Sequence, residues 1–209
     1  LTINVSEFFR DPDQFARLRS QILPELLSAR RRIRIWSAGC SHGAEPYSIA
    51  MLLSEPGSAP RVPILATDMD TAALAQATAG GPYSPDQVRN VPRVDLRRYF
   101  RSEEGQYWIN DGLRRLVEFR EHNVLDGSFG RDFDLIMCRN VMIYLSSEAK
   151  ARLLRRLSGA LIPGGVLFVG GTEAILESSR FGLQRLYGDF YQRVASVPHV
   201  SSCVAKAAL

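Results

Sequence analysis

Segments with strand and helix patterns alternate along this chain, and this alternation constrains the fold more than any other feature. The first four elements are a strand at residues 33–38, a helix at 45–53, a strand at 62–68 and a helix at 71–79. The alternation resumes later with strands at 116–123, 133–138 and 165–170 and a helix at 147–161. Such strands pair in parallel and carry helices on both faces of the sheet. We therefore predict an α/β protein with a doubly wound, mostly parallel sheet that binds its ligand at the carboxyl ends of the strands.

Two regions depart from this alternation. Residues 6–30 have apolar positions at helical spacing and predict short helices, broken at Asp11-Pro12 and at Pro24. Residues 80–116 are irregular and rich in glycine and proline near their start, which suits an insertion that carries a hairpin.

Near the end of the chain, two strand patterns at 183–187 and 190–194 around Gly-Asp predict an antiparallel hairpin.

A length of 209 residues fits one domain with a small insertion. We expect a single domain over residues 1–195, with a small β-subdomain inserted at about 82–116, and a flexible tail at 196–209.

The charge balance is mildly basic, because 26 Lys and Arg residues face 22 Asp and Glu residues to give a net charge of +4. We interpret the arginine run at residues 30–34 as a solvated helix end, with a patch for phosphate or an anionic protein as the alternative.

Cys40, Cys138 and Cys203 are far apart and lack C-x-x-C spacing, so neither a disulfide framework nor a zinc site is indicated. The three histidines form no metal-ligand pattern and no triad, which disfavours metal sites and hydrolases.

Apolar runs fall far short of the roughly 20 residues that span a bilayer, and the start of the chain lacks the basic-then-apolar pattern of a signal peptide. We expect a cytoplasmic protein with no membrane insertion. A chain that begins at Leu1 is also compatible with an excised domain.

The first strand is followed by a glycine loop, GCSHGAEP at residues 39–46, that opens directly into a helix. Gly39 and Gly43 allow a ligand to approach the backbone, and Glu45 and Pro46 suit the first helical turn. The loop does not match G-x-G-x-x-G and lacks the Lys-Ser/Thr of a phosphate loop. A tight turn that needs glycine only for its backbone is the alternative.

Polar residues also follow the second and fourth strands. An acid at the end of the second strand is placed to accept both hydroxyls of a ribose, and we expect Asp68 in that role and Asp70 as the N-cap of the next helix. An N-cap role for Asp68 is the alternative. After the fourth strand, Arg139 is suited to pair with a carboxylate and Tyr144 to direct its hydroxyl at a reacting centre, although a tyrosine here can also be a rim aromatic.

Four motifs resemble one family, the CheR chemotaxis receptor methyltransferases, in their catalytic domain. They are NVSEFFR at residues 4–10, RIWSAGCSHGAEPYSIA at 34–50, ATDMD at 66–70 and FDLIMCRNVMIY at 133–144. A Pro-Gly-Gly segment at 163–165 is shared with methyltransferases more widely. The resemblance runs from about residue 2 to residue 194, and the motifs are specific only in combination.

The resemblance implies a Rossmann-like class I methyltransferase fold with S-adenosylmethionine as cofactor and S-adenosylhomocysteine as product. It implies a ribose contact for Asp68 and places Asn123 and Val124 beside the adenine, while Ser6 stands where the family usually has Thr. With Gly39 of the loop, the expected cofactor-binding residues are Asn4, Ser6, Arg10, Gly39, Glu45, Asp68, Asn123, Val124, Arg139 and Asn140.

The catalytic candidates are Arg139 and Tyr144, and no metal is expected. Tyr144 matches the family tyrosine near the transferable methyl group, and an arginine beside the substrate carboxylate would keep it ionised and oriented. Attack of a carboxylate on a sulfonium methyl group is an in-line displacement that depends mostly on positioning and a dry site. The family also uses an arginine before the first strand, for which Arg19 and Arg30 are the candidates.

This sequence departs from the family in several places. The family loop usually reads G-C-S-T-G-E-E-P, whereas His42 replaces the Thr and Ala44 the first Glu here. The resemblance does not extend to the family's usual N-terminal helical domain, which we expect to be either trimmed from this chain or naturally absent. The insertion stands where some members have a β-subdomain that docks a receptor tail peptide, and whether it does so here is open.

We therefore expect an enzyme that methylates glutamate side chains on the cytoplasmic helices of methyl-accepting chemotaxis receptors. A non-catalytic cofactor-binding module, or a methyltransferase for another acidic substrate, is the alternative. A nicotinamide dehydrogenase is disfavoured because the glycine loop lacks the dinucleotide fingerprint. Nucleic acid is not an expected partner, since there is no base-stacking motif or clustered basic face, and a monomer is expected.

Overall fold

The computed structural model describes residues 6–30, 32–54, 64–126 and 130–194. Within these ranges the strands are β1 (Ile35–Ala38), β2 (Ile64–Asp68), β3 (Phe100–Glu103), β4 (Gln106–Ile109), β5 (Val117–Glu121), β6 (Phe133–Cys138), β7 (Leu161–Val169), β8 (Leu183–Tyr187) and β9 (Phe190–Arg193). The helices are α1 (Pro12–Arg17), α2 (Leu23–Ala29), α3 (Ala44–Leu52), α4 (Thr71–Ala79), α5 (Pro85–Val88), α6 (Arg93–Tyr99), α7 (Asp111–Arg114) and α8 (Ser147–Ala160).

Seven strands form one sheet in the order β5-β2-β1-β6-β7-β9-β8. The first five of these run parallel, and β9 and β8 complete the edge as an antiparallel hairpin. The predicted doubly wound, mostly parallel sheet and its terminal hairpin are confirmed. Strands β3 and β4 pair separately, which confirms the predicted hairpin in the insertion.

The order of the strands creates a switch point between β1 and β6. From β1 the chain continues to β2 and β5 on one side, whereas β6 leads to β7 on the other. The loops that leave the carboxyl ends of β1 and β6 therefore diverge and open a crevice, which is where doubly wound proteins bind ligands.

Alternating side chains of the central strands divide the interior into two layers. Ile35 belongs to the layer against α2 and α3, and its neighbour Trp36 to the layer against α8. Every residue of β6 is buried, as expected for a central parallel strand covered on both faces. The two packed layers hold the carboxyl ends of β1 and β6 rigidly at the crevice.

The predicted helix break at Pro24 is wrong. Helices α1 and α2 are continuous through a π-helical turn at Leu18–Ile22, in which the Leu23 N–H donates to the Leu18 carbonyl five residues back. Because Pro24 has no N–H and its ring clashes with the carbonyl of an ordinary helical turn, this widened turn provides a way past it.

The remaining boundaries are close to those expected, with one longer strand. Strand β7 begins at Leu161 rather than near residue 165, and its pairing with β6 shifts register across the Pro-Gly-Gly segment. Gly164 has a φ of 82° there, which suits a bulge.

The predicted tail at 196–209 lies outside the described residues. In the described part of the chain, no helix is both long enough and apolar enough to cross a membrane.

Candidate functional site

A cavity of ≈ 230 Å³ lies at the switch point. The N-terminal segment, the glycine loop, the first turn of α3 and the loop after β6 each provide part of its wall. The lining residues are Ser6, Glu7, Arg10, Gly39, Cys40, Ser41, Glu45, Arg139, Asn140, Ile143 and Tyr144. The cavity therefore brings together seven residues predicted from the sequence to form the site, namely Ser6, Arg10, Gly39, Glu45, Arg139, Asn140 and Tyr144.

The N-terminal segment is tied down on two sides. The Phe8 N–H donates to the Gln87 carbonyl at 2.9 Å, and the Phe9 N–H donates to Ser48 Oγ at 2.9 Å. Both phenylalanine side chains are buried. These contacts hold Ser6 and Arg10 against the cavity. The predicted cofactor residue Asn4 lies outside the described residues.

The glycine loop packs directly against the loop that follows β6. Gly39 has a φ of 79°, and a Cβ atom at this position would come within 2.4 Å of Val141 Cγ2. The N–H groups of Gly39 and Cys40 both donate to the Thr67 carbonyl, at 2.8 and 2.9 Å. Glycine is therefore required at residue 39 by both backbone conformation and space.

The two residues that depart from the usual family loop, His42 and Ala44, do not line the cavity. Ala44 is fully buried at the start of α3. The His42 carbonyl accepts a hydrogen bond from the Tyr83 hydroxyl at 2.7 Å, and the residue is absent from the lining. The loop keeps its contacts to the cavity despite both substitutions.

The two acids at the carboxyl end of β2, Asp68 and Asp70, have different partners. Asp70 accepts from the N–H groups of Ala72 and Ala73, both at 3.0 Å, and its predicted role as N-cap of α4 is confirmed. Asp68 accepts from the Ser41 N–H at 2.7 Å and from the Asp70 N–H at 3.0 Å. Asp68 thus fixes the glycine loop, and its contact with a ribose stays a prediction.

Glu45 enters the cavity from the first turn of α3. Its carboxylate accepts from Ser37 Oγ at 2.7 Å and pairs with Arg139 at 3.5 Å. Burial raises the pKa of Glu45, and the nearby Arg139 charge and the Ser37 hydrogen bond offset only part of that rise. A buried acid with so little solvent contact is suited to receive a cationic ligand group.

Arg139 lies beneath the cavity, with only 3% of its side chain exposed. The guanidinium pairs with Asp11 at 2.5 Å, donates to the Arg10 carbonyl at 3.0 Å and stacks 4.6 Å from the Phe168 ring centre. Sequence reasoning missed Asp11, which has a φ of 62° and directs its carboxylate at the arginine. Since two carboxylates already offset its charge, the predicted pairing of Arg139 with a substrate carboxylate stays a prediction.

A second acid that sequence reasoning missed is Glu173, in the loop after β7. Its buried carboxylate accepts from backbone N–H groups in the loop after β6, including those of Asn140 and Met142 at 2.7 and 2.6 Å. The signal was similar to that for Asp68, an acid close to the carboxyl end of a buried strand: Asp68 is the last residue of β2, and Glu173 follows β7 by four residues. It could have been found by treating every strand end alike.

The predicted adenine residues lie near Asp68 and outside the cavity lining. The His122 N–H donates to the Asp68 carbonyl at 2.8 Å, which places the following turn beside that acid. Asn123 donates to Asp126 at 2.6 Å and accepts from the Leu125 N–H, while Val124 packs against the layer that contains α8. Their contact with adenine remains a prediction.

Neither candidate for the additional arginine reaches this cavity. Arg30 pairs with Asp134, at the opposite end of the sheet. Arg19 lines a separate cavity of ≈ 180 Å³ between the helical start of the chain and the insertion.

The described residues contain no group of three or more His, Cys, Asp or Glu side chains placed to hold a metal ion.

The strand order and the polar cavity at the switch point define a doubly wound α/β protein that binds a charged small molecule at the carboxyl edge of its sheet. Comparison with known proteins identifies that class further. Residues 4–186 match the family described as CheR methyltransferase, SAM binding domain. The chain belongs to this family of S-adenosylmethionine-dependent methyltransferases, and S-adenosylmethionine is its cofactor.

Relatives of known name agree with the family. The chain is 39% identical over 192 residues to a chemotaxis protein methyltransferase of Listeria monocytogenes, covering 91% of this chain and 73% of that one. It is 40% identical over 186 residues to chemotaxis protein methyltransferase 1 of Pseudomonas aeruginosa, covering 84% of this chain and 68% of that one. The resemblance expected from the sequence is confirmed.

Proposed function

We propose that this chain transfers the methyl group of S-adenosylmethionine to glutamate side-chain carboxylates of chemotaxis receptors. One observation carries the proposal: the cavity unites the N-terminal segment, the glycine loop and the segment after β6, and these are three of the four family motifs. The names of the relatives at 39% and 40% identity support a role in chemotaxis.

The chemistry of the cavity residues suits the cofactor. Its methionine part carries both an ammonium and a carboxylate group, which require an acid and a base in one cavity. Glu45 and Arg10 both line the cavity and provide these charges. Asp68, which lies beside the glycine loop, would accept the ribose hydroxyls. When bound, the cofactor supplies an electrophilic methyl group on a positively charged sulfur.

The chain's own residues contribute mainly by positioning. Tyr144 lies at the mouth of the cavity with 59% of its surface exposed, so its hydroxyl is available to orient an incoming carboxylate. Arg139 is buried and acts from below, because it holds Glu45 and the N-terminal segment in place.

We also propose that the protein is a monomer and needs no nucleic-acid partner. It would meet the receptor helices in the cytoplasm. In this proposal the insertion at residues 82–116 and the seven-stranded sheet belong to one methyltransferase domain, which extends to about residue 195. Methylation of other acidic proteins is a separate outcome that the test below distinguishes.

The test is transfer of labelled methyl groups from S-adenosylmethionine to cytoplasmic fragments of chemotaxis receptors. We expect base-labile label on receptor glutamates, as required for a methyl ester, and loss of that label when the modified glutamates are replaced by alanine. Unlabelled receptors together with labelled acidic proteins of another kind would refute the proposed substrate. Cofactor binding without transfer to any protein would refute the enzymatic function and favour a non-catalytic module.

A further inference from the structure

Glu173 makes an unusual set of contacts for a side chain that does not line the cavity. Its carboxylate is buried and accepts from four backbone N–H groups. One oxygen accepts from Met142 at 2.6 Å and Ile143 at 3.2 Å, and the other accepts from Asn140 at 2.7 Å and Gly170 at 2.9 Å. The carboxylate therefore joins the loop after β6 to the loop after β7.

The segment that Glu173 holds has few other means of keeping its shape. Asn140 has a φ of 59°, which is uncommon for a residue other than glycine. The single helical turn at Met142–Tyr144 is closed by only two backbone hydrogen bonds, from the Tyr144 nitrogen to the Val141 carbonyl at 3.5 Å, which is at the limit, and from the Leu145 nitrogen to the Met142 carbonyl at 3.1 Å. Only Met142 is buried in this turn, whereas Ile143 and Tyr144 expose their side chains to solvent.

Ile143 and Tyr144 line the cavity and expose their side chains, so these two side chains add little to the anchoring of their own backbone. At this segment the anchoring is done from behind, through the N–H groups that the Glu173 carboxylate binds. Hydrogen bonds to an ionised acceptor are about twice as strong as neutral ones, and four of them fix both loops together.

The backbone directly after β7 leaves room for this carboxylate. A Cβ atom on Gly170 would lie 2.7 Å from Glu173 Oε2 and 3.1 Å from the Asn140 nitrogen. Glycine at residue 170 therefore leaves the space in which the carboxylate and the Asn140 N–H meet. This is an independent sign, from steric fit, that the two loops depend on this contact.

We propose that Glu173 is a positioning residue for methyl transfer, whose carboxylate sets the backbone of residues 140–143 and so the direction in which Tyr144 faces the cavity. This inference rests on the proposed function, since it assigns Glu173 a part in that reaction. Glu173 would touch neither the cofactor nor the receptor carboxylate.

The test compares Glu173→Gln and Gly170→Ala with two controls in the full chain. Gln keeps the shape of Glu but presents an amide NH2 to backbone donors that need an acceptor. Gly170→Ala leaves the charge in place and crowds the carboxylate instead. Glu177→Gln is the surface control, since Glu177 is exposed and pairs with Arg180. Leu157→Ala, in the buried layer against the sheet, is the control for lost stability.

Three quantities are measured for each variant: kcat and KM with receptor, the Kd for S-adenosylmethionine, and amide hydrogen exchange at residues 140, 142 and 143. For both Glu173→Gln and Gly170→Ala we expect faster exchange at these amides and a fall in kcat of about 10- to 100-fold, the cost of a misplacement of about 1 Å. The KM and the Kd should change less than kcat. Both controls should keep the kcat of the unsubstituted protein.

Two results would overturn the inference. One is unchanged exchange at residues 140, 142 and 143 in Glu173→Gln. The other is a kcat no lower than that of Leu157→Ala at equal loss of thermal stability, which would make Glu173 a structural residue only. If the unsubstituted protein transfers no methyl group to any receptor, the proposed function fails instead, and the exchange data still decide whether Glu173 fixes the segment.

Discussion

Replacing Arg139 by Met gives the sharpest test of how the site is held together. Met retains much of the aliphatic volume between Phe15 and Phe168 but removes the charge that now faces Glu45 and Asp11. Asp11 is half exposed and will be solvated, whereas Glu45 is left largely buried without its charged partner and keeps only the hydrogen bond from Ser37. Breaking a buried ion pair on one side typically costs about 3–5 kcal/mol.

This cost should depend on pH through Glu45. Burial already raises the Glu45 pKa from its ordinary value of 4.5, and loss of the Arg139 charge raises it further. A group whose pKa is higher in the folded state stabilises the fold below its unfolded pKa, and this contribution is lost as the pH rises through the folded pKa. The variant should therefore lose more stability than the parent as the pH rises above that ordinary value.

The magnitudes follow from the contacts. Where Glu45 is protonated, the losses are the hydrogen bond to the Arg10 carbonyl, the ring stacking and the half-exposed pair with Asp11, worth about 1–3 kcal/mol together. Where Glu45 is ionised, the full cost of about 3–5 kcal/mol applies. Since a domain of this size is stable by about 5–15 kcal/mol, the variant should still fold.

The assay is urea unfolding of the parent, Arg139→Met, Glu45→Gln and the double variant, at about pH 5 and about pH 8. Glu45→Gln should remove most of the pH-dependent part of the cost of Arg139→Met. Arg180→Met is the control, because its exposed pair with Glu177 should be worth less than about 1 kcal/mol. An Arg139→Met cost that is the same at both pH values and in the Glu45→Gln background would refute the reasoning.

Three further predictions concern ligand binding, catalysis and thiol reactivity. Asp68→Ala should weaken S-adenosylmethionine by about 1.5–3 kcal/mol in a calorimetric titration, because it removes the ribose acceptor and releases the Ser41 N–H; an unchanged affinity would mean that another residue binds the ribose. Tyr144→Phe should lower kcat for receptor methylation while leaving the thermal midpoint within about 2 °C, because the side chain is exposed; equal kcat values would remove its hydroxyl from the mechanism. Burial raises the pKa of the Cys40 and Cys138 thiols well above their ordinary value. Mass spectrometry after treatment of the folded protein with iodoacetamide at about pH 8 should therefore find both cysteines unmodified. Rapid labelling of either cysteine would contradict its burial.

The sequence by itself determined the strands of the main sheet, the helices between them and much of the site, but not the three short helices of the insertion. The alternation of strand and helix patterns required a parallel sheet with helices on both faces, and the residues at the strand ends then had to lie along one edge. Asp70 was predictable as a cap because a cap bonds to its own helix, two and three residues away. The family motifs pointed to Ser6, Gly39, Glu45 and Tyr144, and the structure gathers all of them around one cavity.

Only the tertiary structure decided how these residues are held. Arg139 was assigned to the substrate from its place after a strand, yet its nearest acid is Asp11, which is 128 residues away in the sequence. Glu173 reaches the loop after β6 across 33 residues, and Pro24 is accommodated by a π-helical turn rather than by a helix end. Local patterns record backbone preference and which face of an element is buried. The partner of a buried charge depends instead on which distant loops the folded sheet brings into contact, and no periodicity in the chain carries that information.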